Sequence, residues 1–192
     1  MMLRTHIAFG LLFGILLWYF FGFDFSFVLV MGFAAFLPDI DLVLNRRWNL
    51  PVRHRTLTHS IWFLLAVTIA TYVLFQSVTF ALATFIGCLS HLLSDSLTIT
   101  GVYWLWPIGD DGSNEGKYHL KWKINTGDKF SQKLIQSILF GVTGFLFLSK
   151  DFQINIFSME GLISIVVLIA ISYVLVEKLV NAIARFINKL GL

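Results

Sequence analysis

The sequence is poor in cysteine, proline and charged residues. Its one cysteine, Cys88, excludes an intramolecular disulfide, so cysteine gives no sign of an oxidising compartment. Lys, Arg, Asp and Glu together make up 13% of the 192 residues, whereas an average soluble domain has about 25%. This scarcity of charge argues against a soluble protein, and we expect no nucleic-acid partner.

The sequence is rich in apolar residues. They make up 57% of the chain, and its mean hydropathy is +0.81, whereas soluble domains contain roughly 45–50% apolar residues. A helix needs roughly 20 apolar residues to cross a bilayer. The composition therefore predicts an all-α, polytopic membrane helix bundle, and the length allows about five or six membrane-embedded helices.

Six apolar stretches are the predicted helices. They cover residues 7–23, 25–37, 60–75, 80–97, 134–148 and 161–176. The second is short for a full crossing, because Pro38 disfavours helix at Leu37 and should end it there. Thr58 is the predicted N-cap of the third helix.

Two domains are predicted from this pattern. Residues 1–176 form a membrane-embedded domain that includes the polar loop 108–133. Residues 177–192 alternate cationic with apolar side chains, which is typical of a basic amphipathic helix lying on a lipid surface.

The positive charges predict the orientation of the bundle. If successive helices alternate in direction, every Lys and Arg except Lys150 falls on one face, together with the N-terminus and the tail. Loops rich in Lys and Arg stay in the cytoplasm. The chain is therefore predicted to lie in the bacterial inner membrane as a multi-pass protein, with that face and the tail toward the cytoplasm.

Histidine and aspartate residues fall in or beside the apolar segments at this same predicted boundary. They are His6, Asp39, Asp41, His54, His59, His91 and Asp95. Ionisable groups next to hydrocarbon usually pair, line a cavity or bind an ion, and imidazole with carboxylate suits a divalent metal ion. We predict that all except His54 are metal ligands in one polar site at the cytoplasmic boundary, holding one or two ions.

The spacing within two of the motifs supports metal binding. His91 and Asp95 are four positions apart and share one face of a helix, as a chelating pair or as a metal-bound histidine with its orienting carboxylate. Asp39 and Asp41 would point the same way in an extended segment, where two close carboxylates repel unless a cation lies between them. The alternatives are a hydrogen-bonded structural pair for the first motif and a solvated turn for the second.

His54 and His59 are five positions apart and cannot share one face of a helix. We favour His59 as the ligand and predict that His54 binds substrate or acts as an acid. Arg53 and Arg55 could hold an anionic phosphate, because a guanidinium matches phosphate oxygens bidentately; an ordinary positive-inside role is the alternative. The predicted catalytic residues are therefore His54, Arg55 and Asp41.

Four motifs together resemble those of a known family. They are Thr5-His6 with Gly10, Leu37-Pro-Asp-Ile-Asp41, His54-Arg-x-x-Thr-His59-Ser60 and His91-x-x-x-Asp95-x-x-Thr98-x-x-Gly101. In order and spacing the set resembles the YdjM family of inner-membrane-associated, metal-dependent hydrolases, which implies a hydrolase without naming its substrate. A weaker likeness is to zinc-dependent phospholipase C, which is all-helical and also uses a His-x-x-x-Asp pair, but such analogy does not fix function.

We therefore expect a membrane-bound hydrolase whose divalent metal ion activates water. The histidines favour zinc, whereas manganese or iron would suit a site with this many carboxylates. A site at headgroup depth suits a phospholipid or another lipid phosphoester, so the expected partners are the bilayer and such a lipid. The alternatives are a non-catalytic metal-binding membrane protein and a structural polar cluster without metal. Transport is disfavoured, because transporter sites lie near the bilayer midplane.

Overall fold

The computed structural model describes residues 3–42, 45, 53–110, 112, 119–120, 129–151 and 158–189. Most of the predicted polar loop 108–133 and the end of the predicted tail lie outside the described residues. The chain divides into two compact units, Met1–Gly127 and Asp128–Leu192. Helices dominate the described residues, and the prediction of an all-α fold is confirmed.

Four long helices form the first unit. They are α1 (Leu3–Phe21), α2 (Phe25–Ala34), α3 (Ile61–Phe75) and α4 (Val78–Ser96). Helix α4 packs against the other three, and α1 also packs against α2. Lipid solvates apolar side chains as well as another helix does, so close packing of small residues holds membrane helices together. The buried face of α4 fits this rule, since it carries Ala81, Ala83, Gly87 and Cys88.

Four segments of the described chain are long and apolar enough to cross a membrane: Arg4–Phe21, Phe25–Leu42, Val78–Ser96 and Ser131–Lys150. Two shorter apolar helices, Ile61–Phe75 and Met159–Leu175, accompany them. The span that begins with α2 extends to Leu42, beyond the predicted end at Leu37, because the chain continues through a 3-10 turn at Leu37–Asp39. Pro38 stands in the first turn of that 3-10 helix, where its missing N–H leaves no hydrogen bond unmade.

Two local predictions were wrong. The N-cap of α3 is Ser60, whose hydroxyl accepts the backbone N–H of Phe63 at 3.4 Å. Thr58 cannot take this role, because it lies inside a separate 3-10 turn at Leu57–His59. Asp39 and Asp41 lie in helical turns, not in an extended segment. Side chains two positions apart in a helical turn point to different sides, so the two carboxylates do not face one point.

A short pair of strands follows α4, which the all-helical prediction did not include. Strand β1 (Val102–Tyr103) pairs antiparallel with β2 (His119–Leu120). Gly101 turns the chain between α4 and β1 with φ at 59°, a left-handed conformation that glycine adopts without strain. The carbonyl oxygen of Trp104 then accepts the N–H of Ile61 at 2.9 Å. The segment after α4 is thereby fixed to the start of α3.

The second unit is a pair of packed helices, α5 (Lys129–Asp151) and α6 (Met159–Lys189). Helix α6 continues through Val176, where the sequence predicted the end of a crossing and the start of a separate tail helix. Neither proline nor glycine occurs between residues 162 and 189, so no residue of that stretch is a helix breaker. The division into domains 1–176 and 177–192 stays a prediction.

Candidate metal centre

The eight residues predicted to bind metal or to act in catalysis meet at one end of the first unit. One comes from the start of α1, two follow α2, three precede α3 and two lie near the end of α4: His6, Asp39, Asp41, His54, Arg55, His59, His91 and Asp95. All except His54 and Arg55 are buried. The predicted convergence is therefore present in the structure, whereas the role of each residue stays a prediction.

Four side-chain atoms form the middle of this cluster. The two Nε2 atoms of His59 and His91 are 3.1 Å apart. Oδ1 of Asp39 lies 3.5 Å from the first and 3.7 Å from the second. Oδ2 of Asp95 lies 3.6 Å and 3.8 Å from the same two nitrogens. Two imidazoles and two carboxylates thus point their donor atoms at one small space.

These separations fit the first coordination sphere of a small cation. A tetrahedral ion with bonds of roughly 2.1 Å holds its ligand atoms about 3.4 Å apart. The five measured distances run from 3.1 to 3.8 Å, so they surround this value. Nitrogen and carboxylate oxygen are also the donor types that zinc and related divalent ions take. The residues present therefore fit a divalent metal ion by both spacing and chemistry.

Hydrogen bonds assign the tautomer of two histidines. His91 donates from Nδ1 to the carbonyl oxygen of Ala35 at 2.7 Å. Ser94 donates its hydroxyl hydrogen to the carbonyl oxygen of His91 at 2.9 Å. The Ser94 oxygen can therefore only accept from Nδ1 of His6, which lies 2.7 Å away. In both imidazoles the network places the hydrogen on Nδ1 and leaves the lone pair on Nε2.

The same reasoning applies to His59. Thr58 donates its hydroxyl hydrogen to Oδ2 of Asp41 at 3.1 Å. Its oxygen, 3.0 Å from Nδ1 of His59, must therefore accept from that nitrogen. Oδ2 of Asp41 lies 3.8 Å from the same Nδ1, on the side of the ring away from Asp39. Asp41 thus stands behind His59, as the carboxylate does in a carboxylate–histidine–metal arrangement.

Two imidazole nitrogens without hydrogen atoms face each other, which indicates a bound cation. With their hydrogens on Nδ1, His59 and His91 face each other through Nε2 lone pairs at 3.1 Å. Two lone pairs at hydrogen-bond distance repel unless a proton or a metal ion lies between them. Nε2 of His6 and Oδ1 of Asp41 are also buried without a hydrogen-bond partner among the described residues. Buried polar atoms without partners are uncommon in proteins and call for an explanation such as an ion.

His6 adds a fifth donor at the edge of the central four. Its ring stacks on that of His91 with 3.7 Å between centroids, and its Nε2 lies 3.3 Å from Oδ1 of Asp95. Two groups of three residues bring their donor atoms together, and within each group these atoms lie within 4.8 Å of one another. One group is His6, His91 and Asp95, and the other is Asp39, His54 and His59. These buried histidine and aspartate groups could hold a metal ion.

The charges of the cluster also indicate a divalent ion. Three buried carboxylates, those of Asp39, Asp41 and Asp95, are accompanied by one guanidinium, that of Arg55. With the histidines neutral, these described side chains together carry a net charge of −2. Isolated charges in a low-dielectric interior are strongly disfavoured. One divalent cation would bring the sum to zero.

His54 and Arg55 form the exposed edge of the centre. The side chain of His54 is 33% exposed, and its Nδ1 donates to Oδ2 of Asp41 at 2.9 Å. The side chain of Arg55 is 14% exposed, and its guanidinium lies 3.3 Å from Oδ1 of Asp95. Of the eight residues, His54 is therefore the one most open to solvent. Arg53, two residues earlier, points away and pairs with Asp110.

Sequence reasoning missed the groups that orient the histidines. Ser94, which accepts from the ring of His6, lies three positions after His91 on the same helix face, and that position was a usable signal. Thr58 precedes His59 and was assigned to a helix cap instead. The carbonyl oxygen of Ala35 carries no signal in the sequence, because every residue has one and only the packing of α2 on α4 selects it.

Comparison with known proteins identifies one family. The family model described as YdjM inner membrane protein matches residues 1–182. No curated protein and no solved structure matches the chain. The match extends over both units and includes all eight residues of the centre.

Proposed function

The chain belongs to the YdjM inner membrane protein family, and from that premise we propose that it is a metal-dependent hydrolase. The observation that carries this proposal is the convergence of Nε2 of His59 and His91 with carboxylate oxygens of Asp39 and Asp95. A divalent ion supplies Lewis acidity, which activates water and stabilises negative charge on a phosphoryl oxygen. The residues of the centre would supply and orient the metal ligands, and residues at its edge would transfer protons.

Zinc is the favoured metal. The spacing of the four central donors supports it, because zinc prefers four nitrogen, sulfur or oxygen ligands in a tetrahedron. Manganese and iron take more oxygen ligands and larger coordination numbers. Nε2 of His6, next to the central four, would suit either of these alternatives.

We assign proton transfer to His54. Its Nδ1 donates to Asp41, which fixes the ring and leaves Nε2 to take or give a proton. Histidine is the usual general acid or base near neutral pH. Asp41 holds His54 directly and His59 through Thr58, so it links the proton-transfer group to a metal ligand.

The depth of the centre supports a lipid substrate. His6 lies two residues from the start of one membrane span, and His91 lies five residues from the end of another. At 1.5 Å per residue these positions are within about 8 Å of the span ends. A phosphoester in a lipid headgroup would lie at this level. We therefore infer that the substrate is a phospholipid or another lipid-linked phosphoester.

The cytoplasmic face is the proposed side of the reaction. Arg53 and Arg55 lie in the segment that contributes to the centre, and Arg4 stands at the same end of α1. Clusters of arginine beside membrane spans are retained in the cytoplasm. The same rule would place the C-terminal tail on that side.

A non-catalytic metal-binding protein is the second candidate, and one observation favours it. Four protein donors complete a zinc tetrahedron, whereas catalytic zinc sites keep one position open for water. On this alternative the ion would hold α4, the segment after α2 and the segment before α3 together without reacting. Transport is disfavoured, because the centre lies near the span ends and not at the midplane.

The first experiment tests the metal. The protein is purified in detergent without chelator, and its metal content is measured by mass spectrometry for wild type, His59→Ala and His91→Ala. Asp110→Ala, which changes a carboxylate outside the centre, is the matched control. We expect stoichiometric metal in wild type and in the control, and little in the two histidine variants. Full metal content in both histidine variants would rule out this ligand set.

The second experiment separates hydrolase from binder. The metal-loaded protein is incubated with vesicles of phosphatidic acid or of phosphatidylglycerol, and released phosphate and headgroup are measured. His54→Gln should keep its metal and lose turnover, because only the proton-transfer group is changed. A metal-loaded wild type that releases nothing from these lipids or from a total lipid extract would favour the non-catalytic alternative.

A further inference from the structure

Arg55 uses its donors inside the protein. Its guanidinium donates to Oγ1 of Thr98 at 3.0 Å, to the carbonyl oxygen of Gly101 at 3.3 Å and to Oδ1 of Asp95 at 3.3 Å. The backbone of Arg55 has φ at 65°, a sparsely populated region for a residue with a side chain. Such strain persists only where the surrounding structure imposes it. The guanidinium thus makes three hydrogen bonds within the protein, and phosphate binding by Arg55 stays a prediction.

The two carboxylate oxygens of Asp95 face different partners. Oδ1 lies 3.3 Å from the guanidinium of Arg55 and 3.3 Å from Nε2 of His6. Oδ2 lies 3.6 Å from Nε2 of His59 and 3.8 Å from Nε2 of His91. The guanidinium of Arg55 therefore binds Oδ1, and Oδ2 faces the central donors.

Thr98 links Arg55 to Asp95 through hydrogen bonds, so that the three residues form a closed ring of contacts. Its hydroxyl donates to the backbone carbonyl of Asp95 at 2.7 Å and accepts from Arg55. It also accepts the N–H of Gly101 at 3.1 Å. Both the main chain and the side chain of Asp95 are thereby tied to Arg55. Rotation of the carboxylate would break the contact between Oδ1 and Arg55.

We propose that Arg55 is a positioning residue that makes Asp95 a one-oxygen ligand of the metal centre. The inference rests on the proposed function, since it needs a bound divalent ion. A free carboxylate can offer a metal one oxygen or both. With Oδ1 held by Arg55, Asp95 would present Oδ2 alone to a metal ion, so the donor set would stay limited to one oxygen from this carboxylate. Arg55 acts on the metal through Asp95 and does not touch it.

The test compares metal binding in Arg55→Gln, Arg55→Lys and Arg53→Gln. Arg53 is the matched control, because it is an arginine two positions away that pairs with a carboxylate outside the centre. Zinc affinity is measured by competition with a chromophoric chelator, and the visible spectrum of the Co²⁺-substituted protein reports coordination number. Mutation of groups that orient metal ligands typically weakens metal binding about 10–100-fold. We expect such a loss in Arg55→Gln, together with weaker Co²⁺ bands as Asp95 becomes bidentate.

The other variants separate positioning from folding. Arg55→Lys keeps the cation and should retain most of the affinity and the Co²⁺ spectrum, whereas Arg53→Gln should match wild type in both. If Arg55→Gln does not fold, as judged by gel filtration and circular dichroism, Thr98→Ala replaces it. That variant removes the anchor of Arg55, and we expect the same spectral change with a smaller loss of affinity.

Three results would contradict the inference. A wild-type spectrum and affinity in folded Arg55→Gln would overturn it and leave the proposed function standing. The same result with weakened binding of inorganic phosphate to the loaded protein would assign Arg55 to the substrate instead. A wild type that takes up no divalent ion would overturn the inference and the proposed function together.

Discussion

Two arginine–carboxylate pairs, with their arginines two positions apart in the chain, show how environment outweighs distance. Arg53 and Asp110 approach to 2.7 Å, and 46% of the arginine side chain is exposed. Arg55 and Asp95 are farther apart, at 3.3 Å, but Asp95 is 1% exposed. Water and salt screen the first pair, so its short distance adds little stability. The second pair lies where screening is weak, so removing one partner leaves an uncompensated charge.

The partners of the two carboxylates differ in the same way. Asp110 accepts from Arg53, from the indole N–H of Trp106 at 2.8 Å and from the N–H of Gly112 at 3.0 Å. These bonds hold a turn at the surface. Asp95 contacts Arg55 and the imidazoles of the metal centre. One carboxylate shapes a loop, and the other is shared between a fixed cation and a candidate ligand set.

Removing each carboxylate should give the largest contrast between the two pairs. With zinc present, Asp95→Ala is expected to destabilise the fold by roughly 3–5 kcal/mol, because it leaves Arg55 without its partner, and to abolish metal uptake. Asp110→Ala should cost at most about 1 kcal/mol. Denaturant titration in detergent micelles, followed by tryptophan fluorescence, measures both.

Chelator provides the control for this contrast. Without an ion the carboxylates of Asp39, Asp41 and Asp95 repel one another, so removal of one of them relieves part of that repulsion. The gap between wild type and Asp95→Ala should therefore shrink when chelator is added, whereas the effect of Asp110→Ala should not change. Equal effects of the two substitutions, with zinc or with chelator, would contradict the role assigned to burial.

Much of the arrangement followed from the sequence, because membrane helices are governed by composition. Apolar stretches gave the helices of both units, and ionisable residues at their ends gave the cluster. His91 and Asp95 could be paired because four positions on one helix fix their relation. These predictions needed no knowledge of which helix packs against which.

The remainder depended on contacts between distant parts of the chain. Arg55 and Asp95 are 40 positions apart, and the pairing appears only once α4 lies beside the segment before α3. Asp39 and Asp41 were predicted to face one point, yet a 3-10 turn at Leu37–Asp39 sends them to opposite sides of the His59 ring. Strand β1 was missed for the same reason, since its partner β2 begins 16 positions later.

The hydrogen bond from His91 to the carbonyl oxygen of Ala35 depends on how closely α4 approaches α2, and Gly87 lies where the two helices meet. A Cβ atom at Gly87 would lie 2.6 Å from the carbonyl oxygen of Met31 and 2.7 Å from Cβ of Ala34. Gly87→Ala should therefore push the helices apart and lengthen the hydrogen bond from His91 to Ala35. Overpacking of this kind typically costs about 1–3 kcal/mol, and metal affinity should fall with it.

A glycine with open space around it is the control for packing. A Cβ at Gly144, in α5, would meet nothing within 4 Å, and alanine there should stabilise the helix by roughly 0.5–1 kcal/mol. Thermal unfolding and zinc competition measure both variants. Wild-type zinc affinity in a destabilised Gly87→Ala protein would show that the centre does not depend on the spacing of α2 and α4.

The exposed pair should give the smallest effect, and its dependence on pH and salt identifies it. The hydrogen bond from Arg53 lowers the pKa of Asp110 below its ordinary value. The pair therefore stabilises the fold fully above the ordinary aspartate pKa, and this contribution is lost as pH falls through the lowered value. Arg53→Gln should cost less than about 1 kcal/mol at neutral pH, and the difference from wild type should vanish in acid or at about 1 M salt. Unfolding free energies measured across that pH range, with Arg53→Lys as the variant that keeps the charge, test this. If Arg53→Gln also released the metal, the exposed pair would be part of the centre, and the contrast between the two arginines would fail.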